Sequence, residues 1–500
     1  MDILLSLAQG FVTAATPANL MMCLLGVVLG QVIGVLPGIG PSAAIALLLP
    51  LTYGASPTGA IIMFAGLYYG AQYGGTLTSV LINVPGESTS VMTTLDGYQM
   101  ALQGRGGVAL GIAATGSFIA GVIGTLGLML LAPPLASMAL KFGPPEYCML
   151  VLLGLTALAA VGGSVLKGLA TGVAGLLLGT IGIDPQVGVP RFDFGQSWLL
   201  DGIDFIILAV ALFGVGEVLA SCRGMSAAQP ILDVGRVLPN REEWSQAWRA
   251  ILRGSGIGFL IGVLPGAGAT IASFVGYIAE KKLAKDPSRF GKGAIEGVAG
   301  PESANNAASQ TSFIPLLTLG IPSNPVMALM IGAMIIHGIQ PGPQIMTAKP
   351  DLFWGMIASM WVGNFLLVVL NLPLIGMWVK LLTVKYDYLY PAILLFCCIG
   401  VYSISNATMD VYLAALFGLI GYTFIKLECE PAPLLLGFVL GPMMEENLRR
   451  ALLLSRGDPM VFLTRPISLT LLIITAILII IVVSPAISRK RAEAFKEEAV

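Results

Sequence analysis

The chain has 500 residues, of which 56% are hydrophobic and only 11% charged, with a mean hydropathy of +0.88. A soluble protein carries roughly 25% charged residues, so a soluble globular domain is excluded and a polytopic membrane protein is expected. The net charge of −1 offers no basic surface to nucleic acid.

Residues 1–16 are short and weakly polar. The first apolar block, 18–54, is interrupted by Ile33-Gly34-Val35-Leu36-Pro37-Gly38-Ile39-Gly40. Proline removes a backbone donor and glycine frees the dihedrals, so a helix should break there. In hydrocarbon, broken backbone survives only where it is buried in protein or lines a cavity. The next block, 57–83, ends in a second polar break, Asn83-Val84-Pro85-Gly86-Glu87-Ser88-Thr89. Further spans are expected at 108–132, 147–164, 166–183 and 203–222, since a crossing takes about 20 apolar residues.

A polar connector covers 223–253. Its end, Arg241 to Arg253, is amphipathic: Trp244, Ala247, Trp248, Ile251 and Leu252 share one helical face. Such a helix suits the membrane interface, the alternative being a soluble linker helix. The broken motif then returns as Ile261-Gly262-Val263-Leu264-Pro265-Gly266-Ala267-Gly268, with seven of eight positions identical at an offset of 228. The loop Glu280 to Lys292 carries Lys281, Lys282, Lys285, Arg289 and Lys292. Short basic loops stay cytoplasmic. The connector is basic too, so block 254–279 is expected to enter, turn at Pro265-Gly266 and return, with arms of about eleven residues, half a crossing. A single 26-residue span is the alternative. The first copy has almost no Lys or Arg nearby, which suits an opening on the other side and an inverted-topology repeat.

A stretch too polar for a lipid-facing helix follows: Gly300-Pro301-Glu302-Ser303-Ala304-Asn305-Asn306, then Ser309, Gln310, Thr311 and Ser312. It leads to Gly320-Ile321-Pro322-Ser323-Asn324-Pro325, placed 237 residues after the break at Asn83 to Glu87. Spans are expected at 326–339, 352–379, 389–406, 408–426 and 468–487, with a short apolar piece at 431–444. Gly154, Gly172, Gly175 and Pro185 match Gly400, Gly418, Gly421 and Pro431 at an offset of 246. The fold class expected is therefore an all-α polytopic membrane protein. It has two homologous halves, re-entrant helical hairpins and broken helices. The divisions are a first membrane repeat at 1–222, the connector at 223–253, a second repeat at 254–488 and a tail at 489–500. Arg489-Lys490-Arg491 argues for a cytoplasmic C-terminus.

Six cysteines (Cys23, Cys148, Cys222, Cys397, Cys398 and Cys429) lack paired spacing, which argues against a disulfide or zinc framework. The N-terminus has no basic n-region, so no cleavable signal is expected. Gly291-Lys292 is followed by Gly293 where a Walker A loop requires Ser or Thr, so ATP hydrolysis is not expected.

Four polar breaks supply the candidate site: Pro37 to Ser42, Asn83 to Thr89, Pro265 to Thr270 and Ser303 to Asn324. Helix N-termini after Pro-Gly present free N–H groups that attract an anion. Carbonyls and the side-chain oxygens of Asn, Ser and Thr suit a hard cation such as Na⁺. With few Lys or Arg nearby, a multiply charged anion needs such cations beside it, so uptake of an anion with Na⁺ is expected and no covalent cofactor is. The substrate-binding candidates are Pro37, Gly38, Gly40, Pro41, Ser42, Asn83, Gly86, Glu87 and Ser88 in the first half. In the second half they are Pro265, Gly266, Gly268, Thr270, Ser303, Asn305, Asn306, Ser323 and Asn324. Na⁺ ligands are sought at Gly38, Asn83, Gly266, Asn305, Asn306, Ser309 and Asn324. Isolated small residues such as Ser117 read as helix packing. Glu217 near a span end reads as a snorkelling or paired carboxylate, or as a proton relay. Glu302 reads as a cation ligand or a loop anchor. His337, the one histidine, reads as a hydrogen-bonded helix residue or a proton-coupling group. Two other classes remain: a channel or structural membrane subunit, and an intramembrane serine protease using Ser42 of Gly40-Pro41-Ser42-Ala43 with His337.

The paired Gly-x-Leu-Pro-Gly-x-Gly segments, Asn83-Val84-Pro85-Gly86-Glu87, Gly300 to Asn306 and Gly320 to Pro325 together resemble the TctA family, the large membrane subunit of tripartite tricarboxylate transporters. The resemblance covers nearly the whole chain. It implies a multi-pass protein of the bacterial inner membrane, not an enzyme, that imports citrate-like or related carboxylates on the Na⁺ gradient. It also implies two partners: a small membrane subunit of the TctB type and a periplasmic solute-binding protein of the TctC type. By analogy with elevator transporters, the Pro37–Ser42 and Pro265–Thr270 tips would move with the substrate.

Overall fold

The computed structural model describes residues 3–36, 40–159, 164–184, 186–221, 231–264, 268–382 and 386–483. Pro37, Gly38, Pro185, Pro265, Gly266 and the Arg489-Lys490-Arg491 cluster lie outside the described residues. The chain begins with α1 (Ile3–Ala14), α2 (Pro17–Val35), α3 (Pro41–Leu48), α4 (Pro57–Ile82), α5 (Val91–Leu102), α6 (Gly106–Ala139), α7 (Pro144–Ala159) and α8 (Val165–Leu178). A two-residue antiparallel ribbon follows, β1 (Gly182–Ile183) against β2 (Pro190–Arg191). Next come α9 (Phe205–Ala209), a π-helical turn at Val210–Val215 and α10 (Gly216–Ser221), which form one continuous apolar rod. The second half holds α11 (Arg241–Gly262), α12 (Gly268–Leu283), α13 (Glu296–Thr311), α14 (Phe313–Leu319), α15 (Pro325–Ile336), the single turn α16 (Ile345–Ala348), α17 (Pro350–Asn371) and α18 (Ile375–Leu381). Last are α19 (Tyr386–Ser405), α20 (Thr408–Lys426), α21 (Ala432–Leu454), the turn α22 (Val461–Thr464) and α23 (Pro466–Val483). The protein is thus an all-α polytopic membrane protein. Among the described residues, α2, α6, α17 and α20 are long and apolar enough to cross a membrane.

Two helices lie at the centre, and lipid does not reach them. Every residue of α4 from Gly59 to Leu81 is buried, and so is every residue of α13 from Gly297 to Thr311. A helix buried all round need not be amphipathic. This explains why α13 exists at all. The expected break between Ser303 and Thr311 is instead unbroken helix, with Pro301 inside it. Its Ser, Asn, Gln and Thr side chains face other protein helices, where small and polar residues pack and hydrogen-bond.

The two halves build the same joint. In the first, α2 lies against α4 so closely that a Cβ on Gly26, Gly30 or Gly34 would sit 2.1, 2.3 or 2.2 Å from the carbonyl oxygens of Met63, Leu67 and Ala71. In the second, α11 meets α13, and a Cβ on Gly254, Gly258 or Gly262 would sit 2.3, 2.1 or 2.5 Å from the carbonyls of Gly300, Ala304 and Ala308. The glycines correspond at the 228 offset and their partners at 237, for example Gly30 with Gly258 and Leu67 with Ala304. Two further helix pairs cross between the halves. Gly175 of α8 packs on Leu434 of α21, while Gly421 of α20 packs on Leu212 of the rod.

The block at 254–279 forms two packed helices, α11 and α12, flanking residues 263–267. Arg253 Nε donates to Glu280 Oε1 at 2.8 Å and Nη2 donates to Oε2, tying the middle of α11 to the last turn of α12. The arms are longer than half a crossing, 22 and 16 residues. The first continues without interruption from the amphipathic connector, started by a capping box of Asn240 and Glu243. Its buried stripe is Ala247, Ala250, Ile251, Gly254 and Gly258. Trp248 and Leu252 turn outward, with the Arg249 guanidinium 5.3 Å from the Trp248 ring centre.

The basic loop after α12 is held by a carboxylate that the motifs did not single out. Asp96 Oδ1 accepts from the backbone N–H groups of Gly291 (2.9 Å), Gly293 (2.8 Å) and Ala294 (2.8 Å), and Oδ2 accepts from the Tyr277 hydroxyl (3.0 Å). Hydrogen bonds to a charged acceptor contribute about 1.5–3 kcal/mol each. Asp96→Ala is therefore expected to release the loop. Trypsin cleavage at the exposed Lys285 and Lys292 should accelerate roughly tenfold or more. An unchanged cleavage rate would show that the loop is held by other contacts.

Candidate functional site

A pocket of about 450 Å³ opens where the motifs of both halves meet. The first half contributes Gly40, Pro41 and Ser42 at the start of α3, together with Gly86, Glu87, Ser88 and Thr89 after α4. The second contributes Ala269 and Thr270 at the start of α12, and Asn324, Pro325 and Val326 at the start of α15. Three helices therefore present N-terminal ends to one space. Pro41 and Pro325 stand at first helical positions, where a missing N–H costs nothing. Asn324 caps α15 by accepting from the Met327 N–H at 3.0 Å. Its Nδ2 donates to the Tyr68 hydroxyl at 3.0 Å and to Ser312 Oγ at 3.3 Å. Ser88 Oγ lies 3.1 Å from Thr270 Oγ1 and joins the two halves at the rim.

The opposite wall comes from the reciprocal helices. The π-helical turn presents Leu212 and Phe213, α10 presents Glu217, and the α20–α21 junction presents Ile425, Glu430 and Pro431. Single π turns inside helices are frequent at functional sites. A Cβ at Gly40 would lie 3.5 Å from Glu217 Oε1, so the motif tip sits against this wall. Glu87 Oε1 lies 2.5 Å from Thr89 Oγ1, and Thr89 Oγ1 is 2.6 Å from Gln72 Oε1. Three carboxyl groups, Glu87, Glu217 and Glu430, thus border the pocket, and none of its described lining residues is Lys or Arg.

Of the residues singled out from sequence, Gly40, Pro41, Ser42, Gly86, Glu87, Ser88, Thr270 and Asn324 line this pocket. Gly268 opens α12 beside it, with φ 62° and room for a Cβ only 3.1 Å from the Cβ of Asn324. Ser323 is buried just behind the lining and donates to the Ser312 carbonyl. Asn83 is exposed and outside the pocket. It is the left-handed C-cap of α4 with φ 55°, the same role that Gly320 plays after α14 with φ 71°. Ser303, Asn305, Asn306 and Ser309 sit in α13, away from the pocket lining. Asn306 Nδ2 donates to Ser117 Oγ at 2.7 Å and to Asn305 Oδ1 at 2.6 Å. Ser117 therefore does more than fill space.

His337 caps the C-terminal end of α15, and its Nε2 is 3.4 Å from Thr52 Oγ1. Ser42 lines the pocket at the other end of that helix, which at 12 residues is about 18 Å long. The Ser42/His337 dyad required by a protease is not assembled. Sequence reasoning passed over Tyr68, Gln72 and Glu430, named Thr89 only as the end of a polar break, and read Glu217 as a span-end charge or a proton relay. The available signal was an amide and a tyrosine in an otherwise glycine-rich apolar helix, α4.

The family model described as Tripartite tricarboxylate transporter TctA family matches residues 20–436. The chain is 55% identical over 502 residues to the uncharacterized 52.8 kDa protein in the TAR-I ttuC' 3' region of Agrobacterium vitis, covering 100% of both chains. It is 61% identical over 241 residues to the uncharacterized protein in the TAR-II ttuC' 3' region of Agrobacterium vitis, covering 48% of this chain and 100% of that protein. No solved structure matches.

Proposed function

From the premise that this chain belongs to the tripartite tricarboxylate transporter TctA family, we propose that it imports tricarboxylate or related carboxylate anions by alternating access, coupled to the Na⁺ gradient. The observation that carries this reading is the mixed character of one pocket: three helix N-termini suited to an anion, and three carboxyl groups with no lysine or arginine among the described lining residues. An anion beside Glu87, Glu217 and Glu430 is repelled unless cations enter with it. Na⁺ binding next to the carboxylate would make each favourable for the other, which is the thermodynamic content of coupling. The volume, about 450 Å³, falls in the range of small-molecule sites and admits a small carboxylate with ions and water.

In this reading the α3 and α12 tips and the α15 N-terminus bind the substrate, and Glu217 and Glu430 belong to the wall against which they move. The two halves would form an inverted-topology pair in the bacterial inner membrane, with the C-terminus cytoplasmic. A small TctB-type membrane subunit and a periplasmic TctC-type binding protein complete the system. The test is uptake into proteoliposomes that contain this chain and both partners, across a panel of di- and tricarboxylates. Concentrative uptake only with an inward Na⁺ gradient is expected. Uptake that merely equilibrates, with or without Na⁺, would replace the transporter by a channel.

A further inference from the structure

A second cavity, of about 10 Å³, lies deeper in the protein and is lined by Tyr73, Thr76, Ser117 and Asn371 together with aliphatic side chains. Its volume is that of one water molecule or one small ion. Three features of its surroundings ask for a positive charge. First, Thr76 Oγ1, at the cavity wall, donates to Glu302 Oε2 at 2.8 Å, and the Thr93 hydroxyl donates to Oε1. Glu302 is fully buried, and among the described residues no lysine or arginine pairs with it. A buried carboxylate without a countercharge is costly. Second, the Tyr73 hydroxyl, which lines the same space, is buried without a hydrogen-bond partner. Third, Ser117 Oγ is held in place by Asn306 Nδ2 at 2.7 Å, while Asn306 Oδ1 is itself buried and unpartnered.

We propose that this cavity binds one dehydrated Na⁺ ion, with the hydroxyl oxygens of Tyr73, Thr76 and Ser117 as ligands and Glu302 as its countercharge. The inference rests on the Na⁺-coupled reading above and deepens it, because it places an ion outside the substrate pocket. Hard hydroxyl oxygens with a carboxylate behind them suit such a cation. The ion joins α4, α6 and α13, the helices that carry Thr76, Ser117 and Glu302. It also lies one turn from the substrate. Gln72 borders the large pocket and Thr76 the small cavity, four residues apart on α4. Occupancy of the cavity stiffens the part of α4 that positions Gln72 and its neighbour Thr89.

The test uses the full chain in nanodiscs, without carboxylate, titrated with NaCl at constant ionic strength against KCl and choline chloride. Thermal unfolding reports binding, since a ligand of the folded state raises the midpoint with its concentration. Na⁺ is expected to stabilise the wild type, K⁺ and choline not. Thr76→Val and Ser117→Ala are expected to raise the half-saturating Na⁺ concentration at least tenfold, and Thr76→Ser to restore it. Folded variants with wild-type half-saturation would overturn the site. Stabilisation by acid in place of Na⁺ would identify a proton and also overturn it. The same variants in the proteoliposome assay separate the two claims. Uptake by Thr76→Val with wild-type Na⁺ dependence sinks this site and leaves coupling standing. Uptake by the wild type that ignores Na⁺ sinks coupling itself.

Discussion

Gly258→Val is expected to abolish accumulation of folded protein, whereas Gly256→Val, two residues away on the same helix, is expected to be tolerated. A Cβ at Gly258 would lie 2.1 Å from the Ala304 carbonyl oxygen and 2.8 Å from Ala304 Cα, so the clash is with the backbone of α13. No side chain can turn aside to relieve it. Helices α11 and α13 would have to separate, opening the joint that Gly254 and Gly262 also make. Overpacking a core costs about 1–3 kcal/mol when side chains can shift, and more when they cannot. A native protein has only about 5–15 kcal/mol to lose. A Cβ at Gly256 meets nothing within 4 Å and points away from the protein. Fluorescence-detected gel filtration of tagged variants measures the difference. Equal monodisperse peaks for the two would refute the close α11–α13 contact. Gly30→Val in the first half is expected to behave as Gly258→Val does, because its Cβ would lie 2.3 Å from the Leu67 carbonyl.

Asn324→Ala is expected to reduce carboxylate uptake by about a hundredfold. The substitution removes an N-cap, about 1 kcal/mol, and two buried hydrogen bonds of about 1 kcal/mol each, a total near the 2.7 kcal/mol that a hundredfold represents. Those bonds fix the N-terminal end of α15 at the pocket against Tyr68 and Ser312. A second variant separates fold from function. Asn324→Asp keeps an excellent N-cap but sets a negative charge where the anion is to bind. It lacks the two Nδ2 donors, which the Tyr68 and Ser312 hydroxyls offset by donating to the carboxylate, so it should yield folded protein and equally poor uptake. Normal uptake by Asn324→Asp would remove the anion from this end of α15.

The breaks were legible from sequence because proline and paired glycines in apolar surroundings have one physical meaning. Helix α2 ends at Val35 and α3 starts at Pro41, and α11 ends at Gly262 and α12 starts at Gly268, while Pro37, Gly38, Pro265 and Gly266 themselves lie outside the described residues. The repeat was legible for a related reason. Gly30 and Gly258 are alike because each faces a backbone carbonyl at van der Waals distance, and only glycine fits. What the chain hides is which polar residues face which neighbours. Ser303 to Thr311 read as a break because hydropathy measures a segment against lipid, and α13 never meets lipid. Asn83 read as a ligand because an amide in an apolar run needs a partner, yet its backbone is left-handed, which asparagine tolerates, and its side chain is exposed. Glu217 read as a snorkelling or paired charge or a proton relay because it stands near the end of a hydrophobic segment, and Glu430 carried no signal at all. Only the reciprocal packing of the rod with α20 brings both to the pocket. Asp96 carried no motif at all, since its partners lie nearly two hundred residues further along, at 291–294.

The central claim is that one pocket, built from both halves, holds the carboxylate among helix N-termini. A cryo-electron microscopy map of the protein with its membrane partner, prepared in Na⁺ and saturating carboxylate, tests it most directly. The expected map has substrate density among Ser42, Thr270 and Asn324, facing Glu217 across the pocket. Substrate density elsewhere, with those three residues touching only each other or lipid, would contradict it.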